Sequence, residues 1–308
     1  MSENINAPQT AAADDEIDLR ELFSAIWQGK WIIIATTFVF AVLSVIYAIN
    51  LPNIYRSEAL LAPVAEDSSM RLPGQLGGLA ALAGVNVGGR GSDKTTLAIE
   101  VLKSREFIGR FIDRHSLLPS IMATEKWDRI NNKLIFNPEL FNEQENKWVR
   151  KAKPPFSPEP SLLEGHTAFS RMFSVAQDKT TRLVTVAVQH RSATEAQRIL
   201  QLLIADINEE MRQRDIKEAE KSIAYLNEQI NQTNIADARS MLFSLVEEQT
   251  KTLMLANARS EYVFKTLDPA VVPERKAKPA RALICILGVM LGGMLSVLFV
   301  LIRYFSKK

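Results

Sequence analysis

The sequence holds one cysteine, Cys285, in 308 residues. Without a second thiol it has no intramolecular disulfide and no cysteine metal cluster. Histidine is scarce too. His115, His166 and His190 stand far apart, and none has the i,i+4 spacing of a metal-ligand motif. Neither G-x-S-x-G nor H-E-x-x-H occurs, so the nucleophile elbow and the helical zinc site are excluded as sequence motifs. Lys94-Thr95 follows a glycine-rich stretch, yet a phosphate loop needs glycine immediately before the lysine. Asp93 stands there instead, and its carboxylate would repel phosphate. The chain reads as a non-enzyme, with no catalytic residue, cofactor or metal expected. It also lacks a strong charge of one sign. Between Pro52 and Arg281 there are 32 basic and 29 acidic residues, too even for a dedicated nucleic-acid surface.

Charge is missing altogether from two stretches, residues 31–51 and 282–302, each 21 residues long. At about 1.5 Å per helical residue, each reaches about 30 Å, the thickness of a bilayer's hydrocarbon core. They predict two transmembrane helices with a 230-residue region, 52–281, between them, a tail of residues 1–30 before and one of residues 303–308 after. The first stretch lies behind an acidic tail, is too long for a signal-peptide core and is followed by the bulky run Asn50–Tyr55, so it reads as an uncleaved anchor. Two spans put both tails on one side. Basic residues flank both ends of the spans, so the positive-inside rule leaves the orientation open.

Residues 1–16 are polar and read as disordered. Ile17, Leu19, Leu22, Phe23 and Ile26 lie on one side of a short helical pattern, which either extends the first span or lies in the interface. Residues 55–64 read as a strand. Seven of the thirteen glycines then fall in 73–91: Gly74, Gly77, Gly78, Gly84, Gly88, Gly89 and Gly91. With Leu, Ala and Val between them, they predict a mobile apolar loop. The functional alternative is a loop that touches lipid, a neighbouring subunit or a lipid-linked ligand.

Ser92 and Asp93 are expected to open a helix with Leu97, Val101, Leu102, Phe107, Ile108, Phe111 and Ile112 on its apolar face. Pro154, Pro155, Pro158 and Pro160 mark an irregular connection, and residues 169–176 and 182–189 read as strands. Ser192–Glu195 has the pattern of a capping box. After it, Ala196, Leu200, Leu203, Ile207 and Met211 recur at helical spacing, followed by Ile216, Ala219, Ile223, Leu226 and Ile230. About 38 residues of helix would span about 57 Å. A polar break at 231–234 and a further helix to about Lys265 complete a long helical region, about 193–265. It reads equally as a coiled-coil hairpin or as a rod.

The most specific text precedes the second uncharged stretch. Pro269, Pro273 and Pro279 define a stiff extended connector, residues 269–279. Within the stretch, Gly288 and Gly292 stand four apart with Gly293 and Ser296 beyond, a small-residue face suited to close helix packing within a pair or an oligomer. These two junctions, Ile17-Asp18-Leu19 through Tyr55-Arg56-Ser57 and Asp268 through Arg303, resemble the Wzz-type polysaccharide co-polymerases, the O-antigen chain-length determinants of Gram-negative bacteria. The layout is similar along nearly the whole chain.

The resemblance implies an α+β fold, with a periplasmic α/β domain carrying a long extended helix between two transmembrane helices. It implies an inner-membrane homo-oligomer, a ring or bell, with both termini cytoplasmic. Its expected partners are a Wzy-type polymerase and a lipid-linked glycan. The expected role is to set the modal repeat number of O-antigen without catalysis. The alternative is a capsule or exopolysaccharide export component or tyrosine-kinase adaptor. With no phosphate loop and no tyrosine-rich tail, the chain looks like the branch that works beside a polymerase.

Overall fold

Apolar residues uninterrupted by proline leave the backbone no partner but itself in a non-aqueous setting, which favours helix. The first uncharged stretch is helical in the computed structural model, which describes residues 23, 26–64 and 90–306. This helix, α1 (Lys30–Asn50), belongs with the last helix of the chain to one unit, Met1–Pro52 with Lys278–Lys308. Residues Asn53–Ala277 form the other. The expectations for residues 1–22 and for Gly74, Gly77, Gly78, Gly84, Gly88 and Gly89 lie outside the described residues. Gly91 does not belong to a loop; it falls in the first turn of a helix, α2 (Arg90–Lys103).

The unit Asn53–Ala277 opens with β1 (Tyr55–Pro63), whose Ser57, Ala59 and Leu61 are buried on one face. The helix expected after the glycines is two helices. α2 stops at Ser104, whose hydroxyl accepts the Phe107 amide at 3.2 Å and caps α3 (Arg105–Arg114). Phe107, Ile108, Phe111 and Ile112 are buried as expected, whereas Leu97 faces outward. A short helix, α4 (Leu118–Met122), leads into two small hairpins, β2 (Thr124–Asp128) with β3 (Lys133–Phe136), and β4 (Phe141–Asn142) with β5 (Lys147–Trp148). The proline-rich connection after them is held by Arg150, which donates to the carbonyls of Ser157 and Pro158 and to both carboxylate oxygens of Glu164. The guanidinium bond, ahead of the cost of burial, holds the Glu164 carboxyl below its ordinary range.

Residues 169–176 are not one strand. Phe169 lies buried in α5 (Leu162–Met172), which starts at a complete Ser161–Glu164 capping box, and only β6 (Phe173–Gln177) is extended. β7 (Val184–His190) follows the expected alternation. α6 (Ala193–Gln232) is 40 residues, about 60 Å long. Its stripe of Ala196, Leu200, Leu203, Ile207 and Met211 is buried, together with Ile199. Its cap is half a capping box. Ser192 Oγ accepts the Glu195 amide at 3.2 Å, but the Ser192 amide donates to His190 Nδ1 at 3.0 Å rather than to Glu195.

The second helix, α7 (Ala236–Ala258), ends seven residues before Lys265. In place of its last turns stands β8 (Phe264–Asp268). The helical region therefore ends at Ala258. The four-stranded sheet runs β6-β7-β1-β8, antiparallel throughout. α6 packs on β1 and β7. The chain ends in α8 (Arg281–Phe305), the second apolar helix.

The turn from α7 into β8 is set by one polar side chain. Asn208, 5% exposed on α6, accepts the amides of Tyr262, Val263 and Phe264 at 2.9–3.1 Å on Oδ1 and donates from Nδ2 to the Phe264 carbonyl at 3.1 Å. Beside it, Lys94 pairs with Asp215 at 2.5 Å, and the Tyr262 hydroxyl donates to the same carboxylate at 2.5 Å. Burial, and then the bond to Asp215, push the Tyr262 phenol up to about 12. The lysine that sequence motifs place in a would-be phosphate loop thus joins α2 to α6.

Two measurements test these joints. Asn208→Leu leaves three backbone amides without their acceptor and should destabilise the unit by on the order of 3 kcal/mol, against well under 1 kcal/mol for exposed Asn227→Ala. Denaturation of the full chain in detergent, followed by tryptophan emission, reads the difference. The second concerns His190, whose Nε2 donates to the Ser120 carbonyl at 2.9 Å while Nδ1 accepts from Ser192. Burial lowers its pKa. The unfolded chain therefore binds a proton near the ordinary value of about 6.5 that the folded chain resists, so stability is full above that value and is lost as pH falls below it. Unfolding midpoints should drop between about pH 7.5 and 5.5, and His190→Gln should flatten that drop.

Candidate functional site

Small residues matter where two helices approach closely, because a side chain there separates the backbones. α8 runs antiparallel to α1, and the ladder of facing positions can be read along both. A Cβ on Gly292 would meet the Cβ of Phe40 at 2.6 Å. One on Gly288 would overlap Ser44, one on Gly29 would overlap Val300, and one on Gly293 would lie 3.9 Å from Thr37 Oγ1. Gly292, Ser296 and Val300 are buried in this pair, and Ser296 Oγ donates to the Gly293 carbonyl at 2.8 Å. The structure thus brings Gly288, Gly292, Gly293 and Ser296 together on the side of α8 that faces the chain's own first apolar helix, α1. Most other α1 and α8 side chains point outward.

The pair is closed at one end by Arg281. Its Nε donates to the Ala48 carbonyl at 3.0 Å and its Nη2 to the Leu51 carbonyl at 3.5 Å. The last carbonyls of a helix lack intrahelical donors, and a cation offsets the negative end of the helix dipole. Composition marks Arg281 only as a flanking charge. Its partner is 230 residues away in sequence, and no local pattern points to it.

The connector is pinned rather than free. After β8 it continues along β1: Ser57 Oγ donates to the Val271 carbonyl at 2.8 Å, Gln197 Nε2 donates to the Ala270 carbonyl at 2.9 Å, and the Ala277 amide donates to the Ile54 carbonyl at 2.8 Å. Ala270 is buried between them. Pro269 and Pro273 lie in this segment, where a strand on the sheet's edge would otherwise carry on. Proline offers no amide to a further strand and blunts the edge. Pro279 lies beyond the unit boundary at Ala277. Among the described residues no group of three or more His, Cys, Asp or Glu is arranged to hold a metal ion. Ser120, His190 and Glu195 meet, but Glu195 reaches Ser120 Oγ rather than the imidazole. The ring is committed to backbone on both nitrogens, so this is a structural joint.

Because Gly292 has no room for a Cβ, Gly292→Leu should force the helix pair apart at a cost of about 1–3 kcal/mol, whereas Met290→Leu on the outer face should be neutral. The thermal midpoint of the full chain in detergent checks this, together with its native mass.

Residues 15–115 match the family model described as Chain length determinant protein (Wzz), and residues 230–305 match one described as "G-rich domain on putative tyrosine kinase" (GNVR). No curated protein matches the chain. Among solved structures, the chain is similar to a full-length bacterial polysaccharide co-polymerase at 17% identity, over 94% of this chain and 98% of that one, with a TM-score of 0.39. It is also similar to a fragment of the polysaccharide co-polymerase WzzB from Salmonella Typhimurium at 14% identity, over 73% and 100% of the two chains, with a TM-score of 0.32. The chain length determinant region covers α1, β1, α2 and α3, and the second region covers α7, β8, the connector and α8. The chain thus carries a Wzz chain length determinant region at its first junction and a GNVR region at its second.

Proposed function

We propose that this chain sets the length of a surface polysaccharide, specifically the modal repeat number of lipopolysaccharide O-antigen made by a Wzy-type polymerase. It does so as a non-enzymatic homo-oligomeric scaffold. α1 and α8 cross the inner membrane, both termini are cytoplasmic, and the unit Asn53–Ala277 is periplasmic, within reach of a lipid-linked glycan. The observation that carries this reading is the chain length determinant region over residues 15–115. The geometry supports it. A packed pair of apolar helices, a pinned connector and a long helix hairpin suit a part that organises another enzyme.

One observation favours a second reading. The GNVR match over residues 230–305 belongs to a family named for a tyrosine kinase, and it supports a role as an export component or kinase adaptor for capsule or exopolysaccharide. Loss of capsule on deletion, with an unchanged lipopolysaccharide ladder, selects this reading.

Deletion should leave O-antigen present but replace a clustered length distribution with a broad one weighted to short chains, because an unregulated polymerase stops at random. Replacing Pro269, Pro273 and Pro279 by alanine should shift or broaden the distribution while the protein stays in the membrane. Lipopolysaccharide ladders read both, in a strain without a second length regulator. Complete loss of polymerised O-antigen on deletion would point to an essential enzyme or exporter.

A further inference from the structure

Ile130 is 94% exposed, the most exposed large apolar side chain among the described residues. It stands at the tip of the β2–β3 hairpin in the sequence Asp128-Arg129-Ile130-Asn131-Asn132, where turn chemistry favours polar residues and glycine. The turn is built to hold it out. Asp128 Oδ1 accepts the amides of Ile130 at 2.9 Å and Asn131 at 3.3 Å, and Asp128 Oδ2 accepts Asn131 Nδ2 at 2.6 Å. These three bonds hold the Asp128 carboxyl below its ordinary range, the side-chain bond from Asn131 foremost. Arg129 and Lys126 flank the isoleucine as exposed cations.

The hairpin is bolted to one end of its unit. Trp127 meets Tyr55 edge to face with ring centroids 5.3 Å apart, and its Nε1 donates to Asn132 Oδ1 at 3.1 Å. Thr194 in the first turn of α6 donates to the same oxygen at 2.7 Å, and Arg191 donates to the carbonyls of Thr124 and Glu125. Tyr55 pairs with His190 at the end of the sheet, and next to it the Ala277 amide binds Ile54. That end is where the chain leaves the unit in both directions. Tyr55 is five residues from Asn50, the last residue of α1, so the chain can separate them by no more than about 18 Å.

We propose that the β2–β3 hairpin is a second membrane contact, in which Ile130 enters the headgroup region of the bilayer crossed by α1 and α8. Arg129 and Lys126 meet lipid phosphates there, and Trp127 and Tyr55 lie at the interface. This rests on the reading of α1 and α8 as membrane spans. The chemistry matches an interface: an apolar tip, cations beside it, and two aromatic side chains with polar handles behind. The nearby acids do not oppose it. Asp128 is engaged within the turn, and Glu143 pairs with Lys133 at 3.0 Å. Glu125 lies 4.0 Å from Lys126.

The test uses the full chain with Cys285→Ser, reconstituted into vesicles of phosphatidylethanolamine and phosphatidylglycerol. One cysteine at a time is introduced, as Ile130→Cys, Lys179→Cys or Leu298→Cys, and labelled with a polarity-sensitive fluorophore. Lys179 lies in the β6–β7 turn at the opposite end of the sheet from Tyr55, and Leu298 lies on the outer face of α8. The label at Ile130→Cys should emit to the blue of that at Lys179→Cys and be quenched by headgroup nitroxide lipids. The label at Leu298→Cys should be quenched by chain nitroxide lipids.

If Leu298→Cys is quenched while Ile130→Cys stays solvent-like, the hairpin contact is overturned and the spans stand. If Ile130→Cys shifts to the blue without lipid quenching, the tip is buried against protein, such as a second copy, and the proposal also falls. If Leu298→Cys is not quenched, the span reading itself fails, and the hairpin contact with it. Quenching at Lys179→Cys equal to that at Ile130→Cys would overturn a contact specific to the hairpin.

Discussion

The central position of β1 is the constraint on which the unit depends. It lies between β7 and β8, so the strand that follows the first apolar helix is also the template for the segment that precedes the second. Pairing runs on past β8, through Ser57 with Val271 and Ile54 with Ala277, until both segments leave the unit side by side. Segments more than 200 residues apart in sequence are thereby held at hydrogen-bond distance. A displacement of one is transmitted to the other through backbone bonds rather than through a flexible linker. Pro269 and Pro273 on the outer side close the sheet's edge to further strands.

The helices are fixed to this sheet in a graded way. The first half of α6 lies on β1 and β7 with Leu200, Leu203 and Ile207 fully buried. Beyond Met211 only Ala219 and Ile230 are buried, and α7 is the partner. Asn208 stands at the changeover and supplies the turn into β8 with an acceptor that the backbone there cannot find within itself. The Lys94–Asp215–Tyr262 cluster joins the same region to α2. Charged and polar groups here fix direction at the point where apolar packing gives out.

Much of this was legible in the amino-acid order. The uncharged stretches, the α6 stripe and the alternation of β7 are periodic signals spread over many residues, and the structure follows them. The small-residue face of α8 was visible as spacing, though not the identity of its neighbours Phe40 and Ser44. β8 is not legible, because a five-residue edge strand with only Phe264 buried has almost no alternation to read. The short apolar run at Phe169 fits a helix as well as a strand, so its pattern alone does not place Phe169 in α5. Asn208, Arg281 and the Trp127–Tyr55 contact rest on partners 54 to 233 residues distant, and a single sequence carries no signal of such pairings.

The helix hairpin has a consequence for how such a chain can change over generations. α7 is 23 residues long, close to the length of α6 beyond Met211, and the two helices pack against each other. Removing a turn from one alone would leave the other's apolar side without cover. Removing two turns from both, about seven residues and about 10.5 Å each, would leave the sheet, its pinned edges and the apolar helices untouched. The reach of the hairpin can therefore evolve in paired helical steps, independently of the part that joins it to the apolar helices.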